Sequence, residues 1–250
     1  KDSYYAHQVM WDGWVDTEQP RIHIVGHWNY DAGVVKPVYV VSNTDSVALL
    51  VNGKAVEGVH RDYHFLFTAD SVAFEAGTLE AIGYNEGKEA VRTRLETAGE
   101  PAAIKLAAIQ NPDGWKADGA DLALVQVEVV DAQGRRCPLA NDLIHFTLDG
   151  PAEWRGGIAQ GPDNYILSED LPVECGVNRV LLRSHTRSGR IVLKAEAKGL
   201  QPAELVLSTE SIEVENGLST YIPGDCLAGR LTRGETPDTP SYRDRAVDVA

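Results

Sequence analysis

Between Arg21 and about residue 210, apolar and polar positions alternate in short runs with a period of two, the pattern of half-buried strands. Arg21-Ile22-His23-Ile24-Val25 alternates, and Val38-Tyr39-Val40-Val41 is β-branched and aromatic. Val47, Leu49 and Val51 lead into Asn52-Gly53, a pair that supplies the positive φ angles of a two-residue hairpin turn. Lys54-Ala55-Val56 starts the return strand. Tyr63 to Phe67 and Leu79 to Tyr84 follow, and Asn85-Glu86-Gly87 turns the chain into the alternating Val91 to Leu95. Short strands separated by closely spaced turn signals predict an antiparallel sandwich.

Ala98-Gly99-Glu100-Pro101 reads as a linker, after which a second strand set begins at Ala103-Ile104-Lys105-Leu106. Val125, Val127 and Val129 are expected to face a core, with Gln126 and Glu128 in solvent. Asp131-Ala132-Gln133-Gly134 is a turn, Leu143 to Leu148 a strand, and Val177 to Arg183 another, closed by Arg187-Ser188-Gly189. Ile191, Leu193, Ala195 and Ala197 give the clearest alternation, and Leu205-Val206-Leu207 ends the set.

No stretch carries a convincing amphipathic helix longer than ten residues, which argues against an α/β barrel and its eight helices. The predicted fold is therefore all-β, two tandem immunoglobulin-like antiparallel β-sandwiches over residues 21–98 and 99–210. Residues 1–20, with Tyr4, Tyr5, Trp11 and Trp14, read as a segment that packs on something else. Residues 211–250, broken by Pro223, Gly224, Gly229, Gly234, Pro237 and Pro240, read as a surface linker.

Composition narrows the functional classes. Of 250 residues, 43% are hydrophobic and 24% charged, an ordinary globular balance for one or two domains. A formal net charge of −14 repels phosphate backbones and anionic membranes, which sets nucleic acid aside as a partner. No apolar run reaches the length of a membrane span. Cys137, Cys175 and Cys226 are too few and scattered for a disulfide framework; the reading is free thiols, with one disulfide left open. The chain starts Lys1-Asp2-Ser3 without methionine and reads as an excised piece.

Candidate chemistry is sparse. Glycoside hydrolysis needs two carboxyl groups about 5–9 Å apart, yet nothing singles out a pair among the 37 Asp and Glu residues. His60 and His64 have a spacing that suits a metal on a helix, but on an extended strand they lie about 13 Å apart. His23 and His27 fail for the same reason, and no metal or cofactor is expected. Asp113 to Asp121 lacks the ligand order of a calcium loop. Gly156-Gly157-Ile158-Ala159-Gln160-Gly161-Pro162 lacks a phosphate-binding signature and is predicted to be a loop between strands. Trp28, Tyr30, Trp115 and Trp154 could stack on sugar rings, although tryptophan in a sandwich more often belongs to a core or an interface. Trp28, Tyr30 and Trp154 are retained as carbohydrate-contact or interdomain candidates.

Several strings in order resemble the C-terminal region of glycoside hydrolase family 2, in the β-galactosidase branch of Bacteroides-type bacteria. Lys1-Asp2-Ser3-Tyr4-Tyr5 with Gln8 and Trp11 resembles the last helix of that family's catalytic barrel. Gly26-His27-Trp28-Asn29-Tyr30, Val38 to Asn43 and Val51-Asn52-Gly53-Lys54 resemble the sandwich that follows it. Asp118 to Leu122, Val127 to Asp131, Gly134, Phe146, Gly150-Pro151, Arg190-Ile191, Ala195 and Gly199-Leu200 resemble the next immunoglobulin-like domain. Arg233 to Pro237 and Pro240-Ser241-Tyr242 resemble a linker to a further galactose-binding-like sandwich. The family commonly has an Asn-Gly-Asp type loop where this chain reads Gly156 to Asn164.

The resemblance implies a parent that is a retaining glycosidase with two barrel glutamates, so no catalytic residue falls in this chain. Residues 1–20 then become the end of the barrel, and 211–250 a linker toward a further module. The expected role is a non-catalytic scaffold. Its partners are the rest of the parent polypeptide, with carbohydrate and a homodimer formed through the parent as further partners, and its location is periplasmic, cell-surface or secreted. Two rival readings are an independent carbohydrate-binding module and an immunoglobulin-like adhesion pair. An exposed aromatic platform distinguishes the first and an exposed apolar patch the second.

Overall fold

In a computed structural model, which describes residues 2–14, 19–160, 163–215 and 218–219, the period-two segments form strands. The described residues divide after Thr97 into two units, each a two-sheet antiparallel β-sandwich.

The first unit comprises α1 (Asp2–Trp14), β1 (Ile22–Ile24), β2 (Val35–Ser42), β3 (Ser46–Val51), β4 (Lys54–Ala55), β5 (His60–Tyr63), β6 (Leu66–Ala73), β7 (Thr78–Asn85) and β8 (Lys88–Glu96). One sheet has the order β1-β2-β6-β5 and the other β4-β3-β7-β8. Inward positions from the first sheet (Ile24, Val38, Val40, Phe67, Ala69) meet those of the second (Val47, Leu49, Val51, Leu79, Ala81). Each fully buried Val, Leu or Ile in such a layer contributes roughly 1.5–3 kcal/mol. Asn52 (φ 49°) and Gly53 (φ 78°) make the hairpin turn between β3 and β4, and Glu86 (φ 51°) and Gly87 (φ 74°) repeat the geometry between β7 and β8. Both pairs have the two positive φ angles that match the twist of paired strands.

The helix α1 runs for 13 residues without an amphipathic stripe, over the string that resembles the last helix of the family's barrel. Its apolar residues do not form one stripe, and this is why periodicity misses it. Val9 is buried, whereas Tyr4 and Trp11 are exposed. Polar and aromatic contacts hold α1 to its sandwich. Both Asp2 carboxylate oxygens accept hydrogen bonds, one from His23 Nε2 (2.9 Å) and one from the Gly26 amide (3.1 Å). The Tyr5 ring stacks on His23 at 4.2 Å.

The second unit comprises β9 (Ala103–Ile109), β10 (Leu122–Val130), β11 (Leu143–Asp149), β12 (Ala152–Gln160), β13 (Asp163–Ile166), β14 (Asp170–Pro172), β15 (Val177–Ser184), β16 (Gly189–Glu196) and β17 (Ala203–Thr209). The sheets have the orders β13-β12-β15-β10-β9 and β14-β11-β16-β17. Val125, Val127 and Val129 are fully buried, as the alternation predicts, and they face Ile144, Phe146, Ile191, Leu193 and Ala195. A short ladder, β18 (Val214–Glu215) with β19 (Leu218–Ser219), lies in the segment expected to be linker. Residues 220–250, including Cys226, lie outside the described residues.

The glycine-rich segment is not a loop as far as Gln160. It continues β12, pairing with β15 on one side and β13 on the other, with a bulge between Trp154 and Gly156. Glycine is needed there for close approach rather than for a turn. Gly156 has φ +70°, and a Cβ on it would lie 2.7 Å from the Leu167 amide nitrogen and the Tyr165 carbonyl oxygen. A Cβ on Gly157 would lie 2.3 Å from Leu171 Cδ2.

Candidate functional site

Three of the four aromatic candidates are held by the sandwiches themselves. Trp28 lies between β1 and β2 and is 1% exposed. Its indole N–H donates to the Glu75 carbonyl (3.0 Å), and its ring meets Phe74 edge-on at 5.2 Å. Trp115 is also 1% exposed, its N–H donating to the Asp121 carbonyl at 3.0 Å. Trp154 is partly buried against the second core, tilted on Phe146 at 5.3 Å, and donates to the Ser168 carbonyl at 2.8 Å. A buried indole needs a partner for its single N–H, and each of these has one within its own unit. Trp28 and Trp115 are thus packed within their own units, with almost no ring surface exposed.

Tyr30 is different. It is partly buried, and the structure builds a cluster around it from the β1–β2 loop. The His27 ring stacks on Tyr30 at 4.6 Å with an interplanar angle of 24°. Lys36 Nζ donates to the Tyr30 hydroxyl (2.8 Å) and sits 4.6 Å from the ring centroid. Phe74 closes the far side at 5.8 Å. An ammonium, an imidazole and a phenol in one partly open loop can bind a hydroxyl or carboxylate group. The strings around Trp28 point to this loop. They do not point to Lys36, which reaches Tyr30 across six residues, or to Phe74, which arrives from the end of β6.

The carboxylates are engaged elsewhere. Asp118 Oδ1 accepts the Ala120 and Asp121 amides (2.8 and 2.7 Å), and Asp121 Oδ2 accepts the Lys116 amide (2.8 Å). These are turn-forming bonds rather than a calcium cradle. Asp131 is buried at the start of the β10–β11 connection. Burial raises its pKa, but the Gly99 amide, Arg135 and the Arg135 and Gln133 amides outweigh that and hold the carboxyl well below its usual range. Among the described residues, no three His, Cys, Asp or Glu side chains gather to hold a metal ion. His60 lies on β5, and His64 in the turn that follows it, at φ 35°. Cys137 and Cys175 are free thiols.

A family profile described as glycoside hydrolase family 2 C-terminal domain 5 matches residues 106–206. A domain of unknown function (DUF4982) matches residues 33–91. A β-glucuronidase of Formosa agariphila is 44% identical over 97% of this chain and 25% of its own length. Residues 106–206 thus match a C-terminal domain of glycoside hydrolase family 2, and nearly the whole chain is similar to a part of that β-glucuronidase. A β-galactosidase of Bacteroides ovatus is 33% identical over 85% of the chain and 24% of its own length. A solved β-glucuronidase of family 2 superposes with a TM-score of 0.81 at 44% identity, covering 89% of the chain and 23% of that structure. A family 2 member from Bacteroides cellulosilyticus superposes at 0.74 and 27% identity, covering 84% and 30%.

The chain spans about a quarter of the length of these two curated relatives. The relatives carry two activity names, β-glucuronidase and β-galactosidase, so similarity reaches beyond the galactosidase branch. The glycine segment from Gly156 to Gln160 belongs to β12, which pairs with β13.

Proposed function

We propose that these two sandwiches are non-catalytic accessory domains of a larger family 2 glycoside hydrolase. They brace its catalytic barrel and space it from further modules. In this reading residues 1–20 end the barrel, 21–98 and 99–210 are immunoglobulin-like accessory modules, and 211–250 lead onward. The parent is a retaining enzyme whose acid and nucleophile lie outside this chain, and it acts on β-glucuronides or β-galactosides. Its compartment in this reading is the periplasm, the cell surface or the secreted fraction. A dimer formed through the parent belongs to the same reading.

One observation carries the proposal: the tryptophans best suited to grip a sugar are committed to internal structure. Trp28 and Trp115 are each 1% exposed and hydrogen-bonded within their own units. A binding module in contrast presents open aromatic faces to its glycan. The break after Thr97 supports the modular division.

The test is an assay of the 250-residue chain on chromogenic β-glucuronide and β-galactoside, beside the intact parent. Turnover by the parent alone is expected. Hydrolysis by the chain itself would overturn the proposal.

A further inference from the structure

The outer faces of the two sheets in the second unit differ in kind. An antiparallel sheet with one face in water normally puts polar residues outward. The β11-β16-β17 face is mostly polar, with Leu143 and Val206 as separate exposed apolar residues. Thr147, Lys194 and Glu204 stand in one cross-strand row, and with Asp149 and Arg190 they line a shallow depression of ≈ 360 Å³.

The five-stranded sheet breaks the rule. Alternate residues of β10 and β15 are buried, so Leu124 and Leu181 point outward. Leu124 pairs with Ile109 on one side and Leu181 on the other, Leu181 pairs with Gly156, and Gly156 with Ile166. An apolar row thus runs from Ile109 to Ile166, about 19 Å over four strand spacings, with the buried Gly156 adding no side chain on β12. Ile109 is 48% exposed and Ile166 52% exposed, and Leu122 and Ile158 beside the row are 48% and 62% exposed. A contiguous apolar band on a sheet face marks an interaction surface.

The band has a charged border of unusual sign for this chain. Lys105, Arg155, Arg179 and Arg183 flank it against two carboxylates, Glu128 and Glu153, on a chain of net charge −14. Two copies meeting through this face would set cations against cations. The apolar band itself is five strands wide and at most about five residues deep, roughly 24 by 17 Å, below the ~800 Å² per partner of a stable free complex. Tethering within one polypeptide removes that shortfall by raising effective concentration.

We infer that the outer face of the β13-β12-β15-β10-β9 sheet docks an apolar, acid-rimmed surface on another domain of the parent polypeptide. This rests on the reading of the chain as part of a longer family 2 enzyme.

The test is carbene footprinting of the intact parent, across a dilution series, and of the 250-residue chain. Ile109, Leu122, Ile158 and Ile166 are expected to lose most of their labelling in the parent, while Leu143 and Val206, exposed on the other sheet, keep theirs. Arg179→Glu in the parent is expected to restore part of the lost labelling. Equal labelling of the band in both proteins overturns the inference, and so does protection that appears only as molecules self-associate. Glycosidase activity of the same sample separates the two claims. An active parent with a fully labelled band defeats the docking inference alone. A parent inactive on both glycosides defeats the functional reading.

Discussion

The hydroxyl of Thr97 donates a 2.8 Å hydrogen bond to the carbonyl oxygen of Trp28, 69 residues earlier in the chain. This bond ties the loop carrying the Tyr30 cluster to the end of the first sandwich. The same hydroxyl accepts the Gly77 amide at 3.1 Å, so one side chain joins three connections. Thr97→Val removes both bonds and keeps the shape. Each net hydrogen bond is worth about 0.5–1.5 kcal/mol, so the first sandwich is expected to lose roughly 1–3 kcal/mol in urea unfolding.

Trp28→Ala should cost more, about 3–5 kcal/mol, because it empties a site between both sheets and exposes Phe74. Trp28→Phe retains most of the packing and leaves the Glu75 carbonyl without its donor. It should therefore fall between wild type and alanine in the same unfolding experiment.

Glycines provide a sharper contrast. Gly156→Ala drives a Cβ into backbone atoms of Leu167 and Tyr165 at a positive φ, and both strain and overlap oppose it. A loss of about 3 kcal/mol in the second sandwich is expected. Gly53→Ala also has a positive φ, but nothing lies within 4 Å of the new Cβ. Only the conformational cost of about 1–2 kcal/mol remains. Equal effects at the two sites in thermal unfolding would contradict this account of β12.

Much of the architecture is legible in the sequence because antiparallel sandwiches write it with a period of two. Val125, Val127 and Val129, or Ile191, Leu193 and Ala195, can satisfy burial in one way only. Asn52-Gly53 announces its own turn through the φ angles it tolerates. What escapes the sequence depends on partners far away in it. The glycines of β12 look like loop residues until Leu171 and Tyr165 arrive against them. The helix α1 has no apolar stripe, and its anchor is Asp2 bonded to His23 and Gly26. The Tyr30 cluster is half visible, since His27 and Trp28 are its sequence neighbours while Lys36 and Phe74 join only through the fold.

The buried Asp131 makes stability depend on pH. Its folded pKa lies below the unfolded value, so its contribution is present above the unfolded pKa of about 3.9. That contribution is lost as pH falls from there toward the folded value. Asp131→Asn should flatten the acid limb of the second sandwich's stability curve. It should also cost about 3 kcal/mol at neutral pH, because Arg135 and the Gly99 amide lose a charged acceptor.

The Asp2 clamp predicts a local effect. Asp2→Ala should speed amide exchange across α1 and at Gly26, while leaving β2 and β6 protected, since their pairing does not involve it.

The central claim is that the chemistry of the parent enzyme resides outside these 250 residues. A retaining glycosidase forms a covalent glycosyl-enzyme intermediate, which a 2-deoxy-2-fluoro glycoside traps on the nucleophile. Labelling the intact parent with such β-glucuronide and β-galactoside reagents and mapping the modified peptide locates that residue. The account predicts a labelled glutamate outside this sequence and no label within it; a glycosylated Asp or Glu between Lys1 and Ala250 would contradict it.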